Sequence, residues 1–168
     1  YLCYQSEDSL GCYNNYPALK SIIETNIRQD TLSAVQKCFD IMREDFESRG
    51  FVVIGDATTY SISVFPGEVH AALEKEITVS MGNSSISVKH FDTTVHSALY
   101  DLVEISRGIV NDESQYCTFD HVGHMFLYPE YDIKKVALGS GRIYSVSNRR
   151  TNEKFKFAVR SCPSPAGL

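Results

Sequence analysis

Two stretches of the chain carry an apolar residue at every third or fourth position, which is the period of an amphipathic helix. The first stretch predicts a helix over residues 31–49, preceded by a shorter helix over 17–28 that Pro17 begins. The second predicts a helix over 93–110 that Asp92 or Thr93 caps. The two apolar stripes are Leu32, Val35, Phe39, Met42 and Phe46, and Val95, Leu99, Leu102, Val103 and Ile109.

Most of the remaining chain alternates apolar and polar residues, as strands with one buried face do. The alternation predicts strands at 51–54, 58–65, 77–81, 85–89, 116–119, 122–128, 132–138, 142–147 and 154–160, with a short helix over 68–76 and a polar link over 111–115. The elements do not follow a βαβ rhythm. The prediction is therefore an α+β fold, in which an N-terminal helical pair and a further long helix pack on a mainly antiparallel sheet that ends in a β meander.

The length of 168 residues and the absence of a linker-like segment predict a single globular domain over 1–168. Residues 1–15 form its irregular lead-in and residues 162–168 its tail. A hydrophobic fraction of 43% excludes a disordered chain. No apolar run approaches the length of a membrane span, and a net charge of −5 argues against nucleic acid as the partner.

Five cysteines and one glycosylation acceptor bear on the compartment. Cys38 lies beside a helical apolar stripe, so we expect it to be reduced and buried in the core. The other four cysteines are expected to form the disulfides Cys117–Cys162 and Cys3–Cys12. Asn83-Ser84-Ser85 is an N-x-S acceptor beside a turn. These features, and a start at Tyr1 that suggests a processed chain, predict a secreted glycoprotein; the alternative is a cytosolic domain with reduced thiols.

The sequence offers few candidates for chemistry. His121 and His124 have flanking residues that favour a strand, where residues three apart face opposite sides, so we expect no metal site there. Gly139-Ser140-Gly141-Arg142 precedes a strand, whereas a phosphate-binding loop opens onto a helix. No nucleophile elbow is present. We therefore expect no catalytic residues and no cofactor.

Charge is unevenly divided along the chain. Residues 1–129 hold 18 acidic and 8 basic side chains, whereas residues 130–168 hold 3 acidic and 8 basic ones. Alternation in the last strand places Lys154, Lys156 and Arg160 on one face and aromatic residues on the other. A basic surface that binds an anionic partner is predicted; the alternative is that these cations pair with the domain's own acidic helices. Its residues are Arg142, Arg149, Arg150, Lys154, Lys156 and Arg160.

Five segments between residues 11 and 62 follow the order and spacing of a known family. They are Gly11-Cys12-Tyr13-Asn14, Leu19-Lys20-Ser21-Ile22-Ile23, Ala34-Val35-Gln36-Lys37 through Phe46, Phe51-Val52-Val53-Ile54 and Tyr60-Ser61-Ile62. This region resembles the ground-like domain of nematode hedgehog-related secreted proteins. Gly11 and Gly55 stand where that family has cysteines. The resemblance implies a secreted module of matrix or signalling type, with no catalytic residues to carry over.

The leading hypothesis is a secreted, non-enzymatic binding module that contacts a protein or an anionic glycan. One alternative is a small enzyme, a hydrolase or transferase, that uses His121 or His124 with a nearby carboxylate. Another is an intracellular interaction domain or a structural component of a larger assembly, such as a viral surface or capsid protein. The oligomeric state is not predicted.

Overall fold

The computed structural model describes residues 1–5, 12–55, 59–139 and 141–160. In chain order these residues form β1 (Cys3–Tyr4), β2 (Tyr13–Asn14), α1 (Leu19–Ser48), β3 (Val52–Gly55), β4 (Thr59–Phe65), β5 (Glu68–Met81), β6 (Ser84–His96), α2 (Leu99–Tyr116), α3 (His121–Leu127), β7 (Tyr131–Leu138), β8 (Gly141–Asn148) and β9 (Lys154–Arg160). The predicted α+β class with mainly antiparallel sheets is confirmed at this level. Within the described ranges, no helix is both long and apolar enough to cross a membrane. The predicted tail over 162–168 lies outside them.

The chain divides into two compact units. The predicted single domain over 1–168 stays a prediction. The terminal unit comprises Tyr1–Lys20, Pro66–Glu68 and His96–Leu168. The inserted unit comprises Ser21–Phe65 and Val69–Val95. Each unit is described by itself below.

The terminal unit is a five-stranded sheet in the order β2-β1-β9-β8-β7. All pairs are antiparallel except β1 with β9, which is parallel. The odd residues of β9 and the even residues of β8 are cross-strand partners and share one face of the sheet. This face packs against the apolar side of α2 and forms the core. The buried core includes Leu102, Ile109, Val110, Ile133, Tyr144, Val146, Phe157 and Val159.

The start of α2 is held by a residue far away in sequence. Glu153, which precedes β9, accepts hydrogen bonds from Ser97 Oγ and from the Ala98 backbone N–H. Burial by itself would raise the pKa of Glu153, but the hydrogen bonds from Ser97, Ala98 and Thr151 together lower it below the ordinary value. The carboxylate therefore satisfies free backbone and hydroxyl donors at the positive end of the helix.

The inserted unit packs α1 against β3, β4, β5 and β6, with β5 pairing with the other three strands. Phe39 and Phe46 of the α1 stripe meet Phe91 and Phe51 edge to face at 5.2 and 5.7 Å between ring centroids. The predicted strands 51–54 and 58–65 correspond to β3 and β4. The inserted unit is therefore a helix packed on an antiparallel sheet.

The predicted N-terminal helical pair is wrong: the single helix α1, Leu19–Ser48, runs through nearly all of the ranges 17–28 and 31–49 and through the residues between them. The expected boundary at Asp30 and Thr31 contains neither Gly nor Pro to end a helix. Thr31 Oγ instead donates 2.6 Å to the Ile27 carbonyl one turn earlier, a bond compatible with the helix interior.

The predicted short helix over 68–76 is also wrong, because these residues belong to the 14-residue strand β5. Leu73 and Ile77 are buried while Glu74 and Glu76 are exposed, which is the period of a strand. The following strand β6 continues to His96, so α2 begins at Leu99 rather than at residue 93. The nine residues 68–76 are too short a segment for their apolar spacing to distinguish a helix from a strand.

The strands predicted at 116–119 and 122–128 are not formed: residues 117–120 connect α2 to α3, and α3 covers His121–Leu127. α2 runs on to Tyr116 and ends where Cys117 adopts the left-handed conformation with φ 58°. The helix α3 then starts after Asp120, whose side chain accepts a hydrogen bond from the Gly123 N–H at 2.9 Å. Downstream, the strands predicted at 132–138, 142–147 and 154–160 are present as β7, β8 and β9.

Candidate functional site

The solvent side of β9 carries the cations that the alternation predicted. Lys154 and Lys156 are exposed, whereas Phe157 and Val159 of the opposite side are buried. Arg160 lies on the same side as the lysines, and its guanidinium sits 5.3 Å from the Tyr4 ring. The strand therefore separates its charged and apolar residues by face, as a half-buried strand does.

The register adds a cation that sequence reasoning missed. Lys156 lies opposite Ser145, and Ser145 lies opposite Lys134 on β7. Cross-strand partners share a face, so Lys134 lies on the same side as Lys156, two strands away. The Lys134 side chain is 76% exposed. We call the surface formed by Lys134, Lys154, Lys156 and Arg160 the basic face.

The basic face has little negative charge to offset it within the described strands. Asp132, opposite Ser147, is the carboxylate that β7 presents on this side. Its closest approach to Lys134 is 4.0 Å, and Arg149 reaches it at 3.6 Å. Among the described residues, Lys154, Lys156 and Arg160 form no ion pair within 4 Å.

Arg149 and Arg150 extend the positive charge at one end of this face. Both lie in the turn between β8 and β9 and are exposed. The turn is held by Asn148, whose Oδ1 accepts from the backbone N–H of Arg150 and of Thr151 at 2.8 and 3.1 Å. Asn148 is itself buried. The turn therefore presents its arginines from a fixed backbone.

Arg142 does not belong to the basic face, although the sequence grouped it there. It pairs across strands with Val159, which points into the core. Its guanidinium donates 2.5 Å to Glu113 Oε2 and 2.8 Å to the Cys117 carbonyl. Arg142 therefore follows the alternative given by the sequence, in which a cation pairs with a carboxylate of the domain's own helix rather than with a binding partner. The reason is the register, which turns even residues of β8 inward and even residues of β9 outward.

The cysteines separate into bonded and free groups. Cys3 and Cys12 form a disulfide between β1 and β2. Cys117 is also disulfide-bonded, and its predicted partner Cys162 lies outside the described residues. Cys38 is free but exposed, so its predicted burial is wrong. Adjacent helical residues point 100° apart, which turns Cys38 away from the stripe that contains Phe39.

Asn83 of the predicted glycosylation acceptor lies in the exposed turn between β5 and β6. A glycan at this position would extend into solvent without disturbing either strand. Glycosylation of Asn83 stays a prediction.

His121 and His124 lie on α3, so the predicted strand and the opposed directions of the two rings are wrong. Residues three apart on a helix lie on one side. Even so, no group of three His, Cys, Asp or Glu side chains in the described ranges has the geometry to hold a metal ion. His124 also has no hydrogen bond to a carboxylate there, and its buried Nε2 has no partner.

His124 instead lines a cavity of about 510 Å³ in the terminal unit. Burial lowers the pKa of His124, against the opposing effects of the nearby Asp112 and Glu130 carboxylates. The imidazole is therefore mainly neutral at pH 7. Sequence reasoning missed this cavity, although the spacing of Asp101, Glu104, Gly108 and Asp112 places all four on one side of α2.

Comparisons of the chain with known protein families, with curated proteins and with solved structures find no match.

Proposed function

We propose that this protein is a secreted, non-enzymatic binding module whose basic face binds a sulfated glycan. The observation that carries the proposal is the pair of exposed lysines Lys154 and Lys156, which form no ion pair among the described residues and share a face with Lys134 and the half-buried Arg160. Exposed like charges that no carboxylate offsets create a positive potential on one side of the unit, despite the net charge of −5.

The spacing of the cations suits an extended chain of anions. Lys154 and Lys156 are two residues apart on one strand, which separates their Cα atoms by roughly 6.8 Å. Lys134 lies two strands away, at about 9.6 Å. The hydroxyl of Ser145 lies between Lys134 and Lys156 in the same cross-strand row. A polyanion could therefore contact several cations at once while the serine donates a hydrogen bond.

The properties of this face favour a glycan over nucleic acid. Single-stranded nucleic acids are bound through aromatic side chains on which bases stack. On the described part of this face, Tyr4 and its cross-strand partner Tyr13 lie on β1 and β2, at the opposite edge of the sheet from Lys134, and Arg160 already covers the Tyr4 ring. Disulfides, an exposed N-x-S acceptor and the resemblance to ground-like domains support an extracellular setting, where sulfated glycans occur.

The test is retention on a heparin column as salt is raised. The triple variant K134S, K154S and K156S should elute well before the wild type. The control variant R28S, K37S and K89S removes the same charge from the inserted unit and should elute close to the wild type. Retention of the wild type should fall steeply with salt, because the Debye length shrinks from about 10 Å at 0.1 M to about 3 Å at 1 M.

Two results would refute the proposal. In one, the two triple variants elute together, so that only net charge matters. In the other, the wild type is not retained at low salt. Retention on an acidic protein column but not on heparin would assign the face to a protein partner instead.

A further inference from the structure

The cavity of the terminal unit has walls of two kinds. It opens between α2, α3 and the start of β7, with a volume of about 510 Å³ that is within the range of small-molecule sites. Four carboxylates and four aromatic rings line it, together with Ile105 and Gly108. They are Asp101, Glu104, Asp112 and Glu130, and Phe119, His124, Tyr128 and Tyr131.

No lysine or arginine is among the described residues that line this cavity. Arg107 pairs with Glu104 at 2.8 Å from outside the lining. Asp101 accepts a hydrogen bond from the Tyr131 hydroxyl at 3.0 Å. Burial, followed by this hydrogen bond, raises the pKa of Tyr131 to about 12, so the phenol stays a neutral donor. The cavity is therefore negatively charged and aromatic at neutral pH.

The aromatic wall is preformed. The His124 ring lies 5.6 Å from Phe119 and 4.9 Å from Tyr128, measured between centroids. Its Nε2 is buried and has no hydrogen-bond partner among the described residues. Aromatic faces attract cations through their ring quadrupole, most strongly where water is excluded. Carboxylates and aromatic faces together are the chemistry that binds an alkylammonium group.

The carboxylates are spread along the cavity rather than gathered at one point. Asp101 and Glu104 lie one turn apart near one end of the cavity, and Asp112 lies eight residues beyond Glu104, a rise of about 12 Å. Between Glu104 and Asp112 the helix presents Ile105 and Gly108, which are uncharged. A ligand that matches this arrangement carries positive charges separated by a hydrocarbon segment.

We propose that this cavity binds an aliphatic polyamine. Its protonated amines would lie against the carboxylates near the two ends, and its methylene segments would lie over Ile105, Gly108 and the ring of Phe119. This site is separate from the basic face, because α2 packs on the buried side of the sheet. The proposal therefore does not depend on the glycan-binding function.

A substitution at Gly108 can fill the cavity without changing any charge. A Cβ built on Gly108 meets nothing within 4 Å, so a larger side chain there would extend into open space. Leu and Ala both favour a helix over Gly, so neither G108L nor G108A should impair folding. Leu fills the middle of the cavity, whereas Ala leaves most of it open.

The experiment is calorimetric titration of the purified chain with spermidine at low and moderate salt. We expect saturable binding at one site per chain. Binding should weaken at least about tenfold in G108L and in D112N, because the first loses space and the second loses an ionic partner. It should change less than about twofold in G108A, and in D40N, which removes a carboxylate from the exposed face of α1.

Two further titrations define the ligand. Octane-1,8-diol, which has similar length but no charge, should not bind. A short lysine-rich peptide should bind more weakly than spermidine, since its backbone does not fit the hydrocarbon segment of the cavity. The proposal is overturned if spermidine shows no saturable binding, if G108L binds it as the wild type does, or if the peptide binds and spermidine does not.

Discussion

Replacing Glu113 by Gln should destabilise the terminal unit more than any surface substitution in α2. The Glu113 side chain is fully buried and accepts hydrogen bonds from Arg142 and from the Tyr144 hydroxyl. Lys135 Nζ lies 3.7 Å from Glu113 Oε1, the oxygen that accepts from Tyr144. Gln keeps the size of the side chain but removes the charge, which leaves two cations next to a neutral amide.

The expected size of the effect comes from the exposure of those cations. Removing one partner of a buried ion pair typically costs about 3–5 kcal/mol. Arg142 and Lys135 keep 20% and 21% of their side-chain exposure, so water partly solvates them once the carboxylate is gone. We therefore expect a loss near the lower end, about 3 kcal/mol in the free energy of unfolding.

The matched control is E104Q, on the same helix. Glu104 pairs with Arg107 at a similar distance, but the two side chains are 36% and 43% exposed. An exposed pair of this kind contributes at most about 1 kcal/mol. The comparison thus holds the helix, the residue type and the substitution constant, whereas burial and the number of partners differ.

The assay must report on the terminal unit, because the chain has two compact units and a single spectroscopic midpoint would average over both. Urea denaturation followed by hydrogen exchange of peptides from β8 measures the opening of this sheet directly. If E113Q loses no more stability than E104Q, the reasoning is refuted, and Glu113 is not the charged centre of this network. If R142M combined with E113Q loses as much as the sum of the single variants, the coupling between the two side chains is absent.

Three further predictions follow from single sites. E153Q should cost about 1–2 kcal/mol at pH 7, because Gln is a weaker acceptor at the start of α2. Since the pKa of Glu153 is lowered on folding, its contribution is complete above the ordinary value of 4.5 and is lost as pH falls through the folded value, so the urea midpoints of E153Q and wild type should converge in acid. Cys38 should be alkylated by iodoacetamide in the native protein, whereas Cys3, which is disulfide-bonded, should not. Intact mass and peptide mapping that find Cys38 unmodified would contradict this. Purified protein should contain substoichiometric zinc by mass spectrometry, and stoichiometric zinc lost in the double variant H121A and H124A would contradict this.

Regular local periods account for the parts of the fold that the sequence predicted well. In β9, basic and apolar residues alternate at every position except Ala158, so both the strand and its two faces could be derived from residues 154–160. The stripe from Leu32 to Phe46 predicted most of α1 for the same reason. These periods reflect which side of an element contacts the core, and a sequence window contains that information.

The secondary-structure predictions failed for short segments whose residue types and spacing favour different elements. Residues 122–128 contain Val, Phe and Tyr, which favour strands, yet they form α3 because Asp120 caps the backbone ahead of them. Residues 68–76 became strand because β5 pairs with three neighbours. In both cases the deciding hydrogen bonds involve partners whose position no local pattern reveals.

The sequence by itself determined that the last strand separates charge from apolar surface. Only the tertiary structure decided which cations remain available, because strand register places Lys134 beside Lys156 and turns Arg142 toward Glu113. Glu113 lies in a segment predicted as a polar link, and its burial depends on α2 packing against β8. The acidic cavity has the same origin: three of its four carboxylates are periodic on α2, but the aromatic wall that faces them comes from the chain after α2, through α3 to the start of β7. Register and packing are relations between distant segments, and the alternation within one segment does not specify them.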